Sequence, residues 1–596
     1  MPARPVRTAL SAVACCALVA PVAQAAPPGA GSAAPPEQAE AVGYGGAVSS
    51  VDPDATRAGV EVLRRGGNAT DAAVAVAAAL GVTEPYSAGV GGGGYFVHYD
   101  ADSGKVSTVD GRERAPGSVD EDLFLQDGAP IPEDEAITSG LGTGVPGTPA
   151  TWQRALDNWG SAGLDEVLRP ATKLAENGFA VDETFREQTA DNEERFRDFP
   201  ATRELFLPGG RLPEVGQVLR NPDLAETYRQ LGDDVAEFYR GDIGRDVAAA
   251  VNRPPVDPAA DREVRPGRMA EQDVRGYEVT EPEPTRSGYR GLDVYGMPPT
   301  SSGGIAVGEA LNVLERTDPA VQDDAQYLHR FLEASKLAFA DRDRYVGDPE
   351  STDVPTQQLL DDRFAASREC LIRDDAVLPA PVAPGEPHDP GGCPGGTAQR
   401  PAGDEGPNTT HLTVADRSGD VVSYTLTIEQ TGGNGIVVPG RGFLLNNELT
   451  DFDFEATGEG DPNLPGPGKR PRSSMSPVIL LRDGEPVLAA GSPGGATIIT
   501  TVLQVLTGRV DRGMPLVDAI AAPRASQRNT AETEAEPAFR DSGPARELAA
   551  LGHRFTDGGE IGAATALERL PDGRWLAAAE PERRGGGAAA VVLPAP

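Results

Sequence analysis

Asn408-Thr409-Thr410-His411-Leu412-Thr413-Val414-Ala415-Asp416 runs into Arg417-Ser418-Gly419-Asp420 and then Val421-Val422-Ser423-Tyr424-Thr425-Leu426-Thr427. Two runs rich in β-branched and apolar residues flank a polar turn containing Gly, the pattern of an antiparallel hairpin. A turn centred on Ser418 sets Thr409 opposite Thr427, with Thr425 diagonal on the same face. Three hydroxyls then share one strand end. Immediately upstream, residues 374–408 are dominated by Pro, Gly, Asp and Glu and lack periodicity. A mobile linker of that length is too long to be an idle connection in a compact domain. It ends where the buried-looking strand begins, at a hydroxyl residue.

Threonine is a poor nucleophile at its own pKa. A free α-amino group on the same residue changes this, because that amine titrates near neutrality and serves as the base. Mid-chain, such an amine requires that the 408–409 bond be cut. The Thr409 hydroxyl is placed to do so itself, by attacking the Asn408 carbonyl to give an ester that water hydrolyses. An ordinary threonine at a strand start is the alternative that the hairpin alone leaves open.

Outward from the hairpin, the chain alternates strand-like and helix-like segments from about residue 44. Asp52-Pro53 reads as an N-cap followed by Pro at the first helical position, and Gly66-Gly67 ends that helix. Asn68, with Asp71 three residues on, caps the next helix. That helix, from Ala69 to Leu80, carries no charge after Asp71 and must be buried on most sides. The Gly89–Gly94 stretch lacks the Gly-Lys-Ser/Thr ending of a phosphate loop and precedes a strand, so close backbone packing is the better reading. Residues 165–350 read as mostly helical. Leu328, Phe331, Leu332, Ser335, Ala338 and Phe339 follow helical spacing and belong in the core.

The 596 residues carry 53 basic and 91 acidic side chains, a formal charge of −38. A polyanion such as DNA or RNA, or an anionic membrane surface, would be repelled by such a balance. The length predicts two or more structural units. Residues 1–25 read as a cleavable export signal: Arg4 and Arg7, an apolar core from Thr8 to Ala20, then Ala23-Gln24-Ala25. Residues 26–44 read as a flexible leader. Cys370 and Cys393 then remain, read as one disulfide in an oxidising compartment, with two unrelated thiols as the alternative.

Several separate motifs, in one order, resemble the γ-glutamyltranspeptidases (glutathione hydrolases), members of the N-terminal-nucleophile hydrolase superfamily. They are Gly66-Gly67-Asn68-Ala69-Thr70-Asp71, Arg112-Glu113-Arg114-Ala115-Pro116, Pro298-Pro299-Thr300-Ser301-Ser302-Gly303-Gly304, Thr409-Thr410-His411, Leu445-Asn446-Asn447-Glu448, Arg472-Ser473-Ser474-Met475 and Gly491-Ser492-Pro493-Gly494-Gly495. The resemblance implies an α/β fold, a four-layer αββα sandwich built from two interlocked subunits cut from one precursor. Residues 45–408 would form the large subunit and 409–596 the small catalytic one.

It also implies the chemistry. Thr409 attacks a γ-glutamyl amide such as glutathione, and water or an acceptor amino acid or dipeptide resolves the resulting ester. Thr425 supports the Thr409 hydroxyl, and the backbone N–H groups of Gly494 and Gly495 form the oxyanion hole. Arg112, favoured over Arg114, clamps the donor α-carboxylate with Ser473 and Ser474. Glu448 and Asp451 hold the α-ammonium. Thr427 stands where the family often has Asn and joins the substrate-binding set. No cofactor and no metal are called for. The lid region 452–469 is short and lacks the Tyr that many relatives carry over the pocket. Two rival readings are an acylase on the same fold and a non-catalytic secreted binding protein.

Overall fold

The cap signals near the N-terminus are obeyed residue by residue. Asp52 accepts a hydrogen bond from Ala55 N ahead of helix α1 (Pro53–Arg64). Asn68 and Asp71 form a reciprocal capping box on helix α2 (Ala69–Thr83), and every residue of α2 is buried. The computed structural model describes Met1 and residues 38–393, 406 and 408–595. Apart from Met1, the expected signal at 1–25 and most of the expected leader at 26–44 lie outside these. The leader's end does not stay flexible: Glu40 to Tyr44 already belong to the first strand.

Among the described residues, twelve strands form the main sheet: β1 (Glu40–Ser50), β2 (Gly93–Asp100), β3 (Lys105–Asp110), β4 (Thr285–Tyr289), β5 (Leu292–Gly296), β6 (Thr410–Asp416), β7 (Val421–Thr427), β8 (Val478–Arg482), β9 (Glu485–Gly491), β10 (Thr565–Arg569), β11 (Trp575–Ala579) and β12 (Ala588–Pro594). Their order is β3-β2-β7-β6-β1-β11-β10-β9-β8-β5-β4, with β12 also on β1. Strand β1 joins the halves. Residues 40–43 pair with β11 and residues 46–50 with β6. A register shift against β12 between Tyr44 and Ala47 marks the bend.

The two halves face each other, with β6 against β9 and β10, and β7 against β9. Helices α1 and α2 cover β1, β6 and β7 on one side. Helices α3 (Gly303–Glu315), α4 (Asp324–Tyr345) and α6 (Thr497–Val510), with α5 (Asp362–Glu369) against α3, cover the other side. This is the αββα sandwich that the motifs imply. The length predicts two or more units, yet the described residues from 38 onward cluster as one compact unit.

The glycine stretch serves close packing, as read. A Cβ on Gly92 would fall 2.0 Å from the Thr427 carbonyl oxygen, so only glycine lets β2 open against the end of β7. The first part of the expected mobile linker is held in place. Val377 N bonds to Leu551 O at 3.3 Å, Val382 N to Asn529 Oδ1 at 2.6 Å and Gly385 N to Asp341 Oδ1 at 2.5 Å. Cys370 and Cys393 are joined by a disulfide with a Cα–Cα distance of 5.8 Å.

Candidate active site

Strands β6 and β7 pair Thr410 with Leu426 and His411 with Thr425. One further step of this register sets Thr409 against Thr427, as a turn at Ser418 requires. The hydroxyls do not divide as expected. Thr409 Oγ1 donates to the Asn408 carbonyl oxygen at 2.6 Å, and Thr427 Oγ1 donates to the same oxygen at 3.1 Å. Thr425 is hydrogen-bonded to His411 Nδ1 at 2.8 Å. Two hydroxyls therefore meet at the carbonyl of the 408–409 bond, while Thr425, expected to support the Thr409 hydroxyl, bonds His411. Burial pushes the His411 imidazole down to about 3, so it stands neutral beside Thr425.

The bond is fixed from both sides. Asn408 Nδ2 donates to Tyr86 O at 3.0 Å, and Ser87 Oγ donates to Asn408 Oδ1 at 2.9 Å. Thr409 N donates to that same Oδ1 at 3.1 Å. Beyond Thr409, Arg584 Nη1 donates to the Thr409 carbonyl at 3.0 Å. Arg584 belongs to the chain's far C-terminal end, which sequence reasoning had no means of placing here.

A small cavity beside Thr409 is lined by Asn408, Thr427, Glu429, Glu448, Asp451, Ser473 and Gly495. The space left is about 10 Å³, enough for roughly one water, because Gly406 and Asn408 also line it. A roomier cleft, about 340 Å³ between Lys105, Trp159 and Glu283, contains none of the predicted site residues.

Glu429 is the cavity-lining acid that sequence reasoning missed. Its Oε1 accepts from Gly406 N at 2.6 Å, its Oε2 accepts from Asn447 Nδ2, and its backbone N donates to Thr427 Oγ1 at 2.8 Å. Burial, then the Glu448 charge, pushes its carboxyl up to about 8. A signal was available: Glu429 follows two positions after Thr427, an acid directly beyond a wholly apolar and hydroxyl strand.

Arg112 is fully buried and its two terminal nitrogens bond Glu448 and Asp451. It also donates to the carbonyls of Pro471 at 3.1 Å and Arg472 at 3.0 Å. Burial alone would lower it, but the Glu448 and Asp451 charges outweigh burial and raise it. Its neighbour Glu113 sits 3.9 Å from an Arg112 nitrogen, and burial with the Glu448 charge holds that carboxyl well above the usual range. Arg114 turns away to Glu350 and the Gly468 carbonyl, so of the two arginines only Arg112 bonds the cavity-lining acids Glu448 and Asp451.

The remaining predicted residues divide. Ser473 reaches the cavity, while Ser474 is buried behind it and accepts from Arg342 Nη2 at 3.0 Å. Gly495 lines the cavity, and Gly494 precedes it at φ 132°, with Gly495 at φ 54°, both just before α6. Side chains other than glycine rarely adopt these angles. Cys370 and Cys393 lie outside the cavity lining.

The family model for γ-glutamyltranspeptidase matches residues 55–591. The chain belongs to the γ-glutamyltranspeptidase family. It is 39% identical over 525 residues to the glutathione hydrolase proenzyme of Bacillus subtilis (strain 168), covering 86% of each chain. It is 35% identical over 550 residues to the glutathione hydrolase proenzyme of Escherichia coli (strain K12), covering 90% of each. Among solved structures, a cephalosporin acylase from Bacillus halodurans superposes with TM-score 0.81 at 28% identity, over 93% of this chain and 97% of that one. This member of the γ-glutamyltranspeptidase family is therefore an enzyme of the glutathione hydrolase type.

Proposed function

We propose that the chain cuts its own Asn408–Thr409 bond and then uses Thr409 to transfer the γ-glutamyl group of donors such as glutathione. The observation that carries this reading is the convergence of the Thr409 and Thr427 hydroxyls on the Asn408 carbonyl oxygen. Thr409 Oγ1 attacks the Asn408 carbonyl carbon, and the C–N bond breaks as the hydroxyl proton passes to the leaving amine. Water then hydrolyses the ester, giving an Asn408 carboxylate and a free Thr409 amine and hydroxyl. Thr427 donates to the oxygen on which negative charge develops in this step.

In the mature site, the Thr409 amine takes the hydroxyl proton as Oγ1 attacks the donor's γ-carbonyl, and it returns a proton to the leaving amine. The Gly494 and Gly495 N–H groups face the developing oxyanion. The donor's α-carboxylate goes to Arg112 and Ser473, and its α-ammonium to Glu448, Asp451 and Glu429. Ser474 orients the Ser473 segment. Water or an amino-acid or dipeptide acceptor resolves the ester. Residues 45–408 and 409–596 stay associated as two subunits, since β1 and β2 from the first pair with β6 and β7 from the second. Export rests on the 1–25 pattern of charge and apolarity.

Denaturing electrophoresis of purified protein should show two fragments, and Thr409→Ala should show one. Hydrolysis of a γ-glutamyl anilide should far exceed that of a glutaryl anilide lacking the α-amino group. Equal rates would favour the acylase reading and remove the ammonium role from Glu448, Asp451 and Glu429. N-terminal sequencing of exported protein checks cleavage after Ala25.

A further inference from the structure

His329 and Glu333 lie four residues apart on α4, so they share one face. Helix α7 (Gly543–Leu551) ends in left-handed Gly552, which turns His553 toward that face. The three side chains are buried, and one ligand atom from each lies within 4.8 Å of the other two. His329 Nδ1 and His553 Nε2 stand 2.8 Å apart. His329 Nε2 lies 2.6 Å from the Arg373 carbonyl oxygen, which can only accept, so in the neutral ring Nε2 carries the proton. The Nδ1 lone pair then points at His553.

We propose that His329, Glu333 and His553 form a binding site for a borderline divalent cation, Zn²⁺ above all, that ties the large subunit to the small one. None of the three lines the Thr409 cavity, and the ion's part is structural. Two imidazoles and one carboxylate are a donor set that such ions accept, with metal–nitrogen distances of about 2.0–2.1 Å. Tetrahedral ligation sets two nitrogens about 3.3 Å apart, so the imidazoles need to part by only about half an ångström. The supporting contacts are those a ligand set uses. The Arg373 carbonyl fixes the His329 tautomer, and Leu378 N donates to Glu333 Oε2 at 2.8 Å. His553 needs only to move its proton to Nδ1.

Lys336 sharpens the inference. Its Nζ donates to Glu333 Oε1 at 2.7 Å and to the Leu378 carbonyl at 2.8 Å. In the metal-free protein this ammonium balances the buried carboxylate. It also repels an incoming dication, so metal and lysine compete for Glu333. His329 and Glu333 precede the 408–409 bond and His553 follows it, so the ion would clamp subunits that no longer share a peptide bond.

The test uses processed protein stripped with EDTA and titrated calorimetrically with ZnCl₂, with melting followed in parallel. One Zn²⁺ per heterodimer and a raised melting temperature are expected. His329→Gln and His553→Gln should each weaken binding about a hundredfold, and His388→Gln should leave it unchanged. Lys336→Met should tighten binding about tenfold, because the competing charge is gone, and should melt lower without zinc yet gain more from it. Near-UV circular dichroism checks that each variant is folded. Absence of saturable binding would overturn the proposal. So would binding that survives the His329→Gln, His553→Gln pair, or weaker binding in Lys336→Met.

Discussion

The hydroxyl of Thr427 donates to the carbonyl oxygen of Asn408 at 3.1 Å, on the bond that precedes Thr409. Thr425, two residues earlier on the same strand face, engages His411. Strand periodicity puts both threonines on that face. Only one of them reaches the carbonyl, because the strand end at 427 lies level with Thr409.

Thr427→Val should therefore slow self-cleavage by about 10²-fold, the usual loss when one donor to a developing oxyanion is removed. Thr425→Val should be milder. A time course of precursor loss on denaturing gels measures both, and a larger defect from Thr425→Val would reverse the assignment.

Glu429 and Glu84 give the precursor a pH dependence. Burial raises both carboxyls from 4.5 to about 8. The folded state favours their neutral forms, so their stabilising share is complete below about 4.5 and is lost as pH rises through about 8. Melting temperatures of the uncleavable Thr409→Ala precursor should fall across that window. Adding Glu429→Gln should flatten the fall, and an unchanged slope would show that Glu429 does not titrate there.

Removing Arg112 takes the cationic partner from two buried carboxylates. Arg112→Met should cost roughly 3–5 kcal/mol, the usual penalty for breaking a buried ion pair from one side. Arg112→Lys keeps the charge but loses the two-pronged fork, so it should retain most of the stability and raise KM for γ-glutamyl donors. Denaturant melts and steady-state kinetics on the two variants separate these effects.

Asp71 tests the fold away from the chemistry. Besides capping α2, it accepts from Ser161 N at 2.9 Å, Ser161 Oγ and Ala162 N at 3.1 Å. Asp71→Ala should destabilise by roughly 2–4 kcal/mol, combining a lost cap with unpaired donors. Anilide hydrolysis at low temperature should survive in whatever fraction stays folded.

Much of the site could be read before any coordinates. Arg112, Thr409, Glu448, Asp451, Ser473 and Gly495 converge from segments more than 380 residues apart, and their motifs name them. Glu429 escaped because an acid in so acidic a chain reads as solvated charge until its burial is known. Arg584 escaped because its contact with Thr409 spans 175 residues and rests on no local pattern.

The sequence by itself determined the hairpin, its register, the caps of α1 and α2 and the burial of α2. These depend on periodicity, turn chemistry and short-range hydrogen bonds, which are properties of neighbouring residues. Only the tertiary structure decided which threonine meets the Asn408 carbonyl, that Arg112 pairs with the two acids, and that the described residues from 38 onward form one unit. Those outcomes depend on how β1 bends between the sheet halves and on what burial does to charge. Both are set by elements that the chain brings together from far apart.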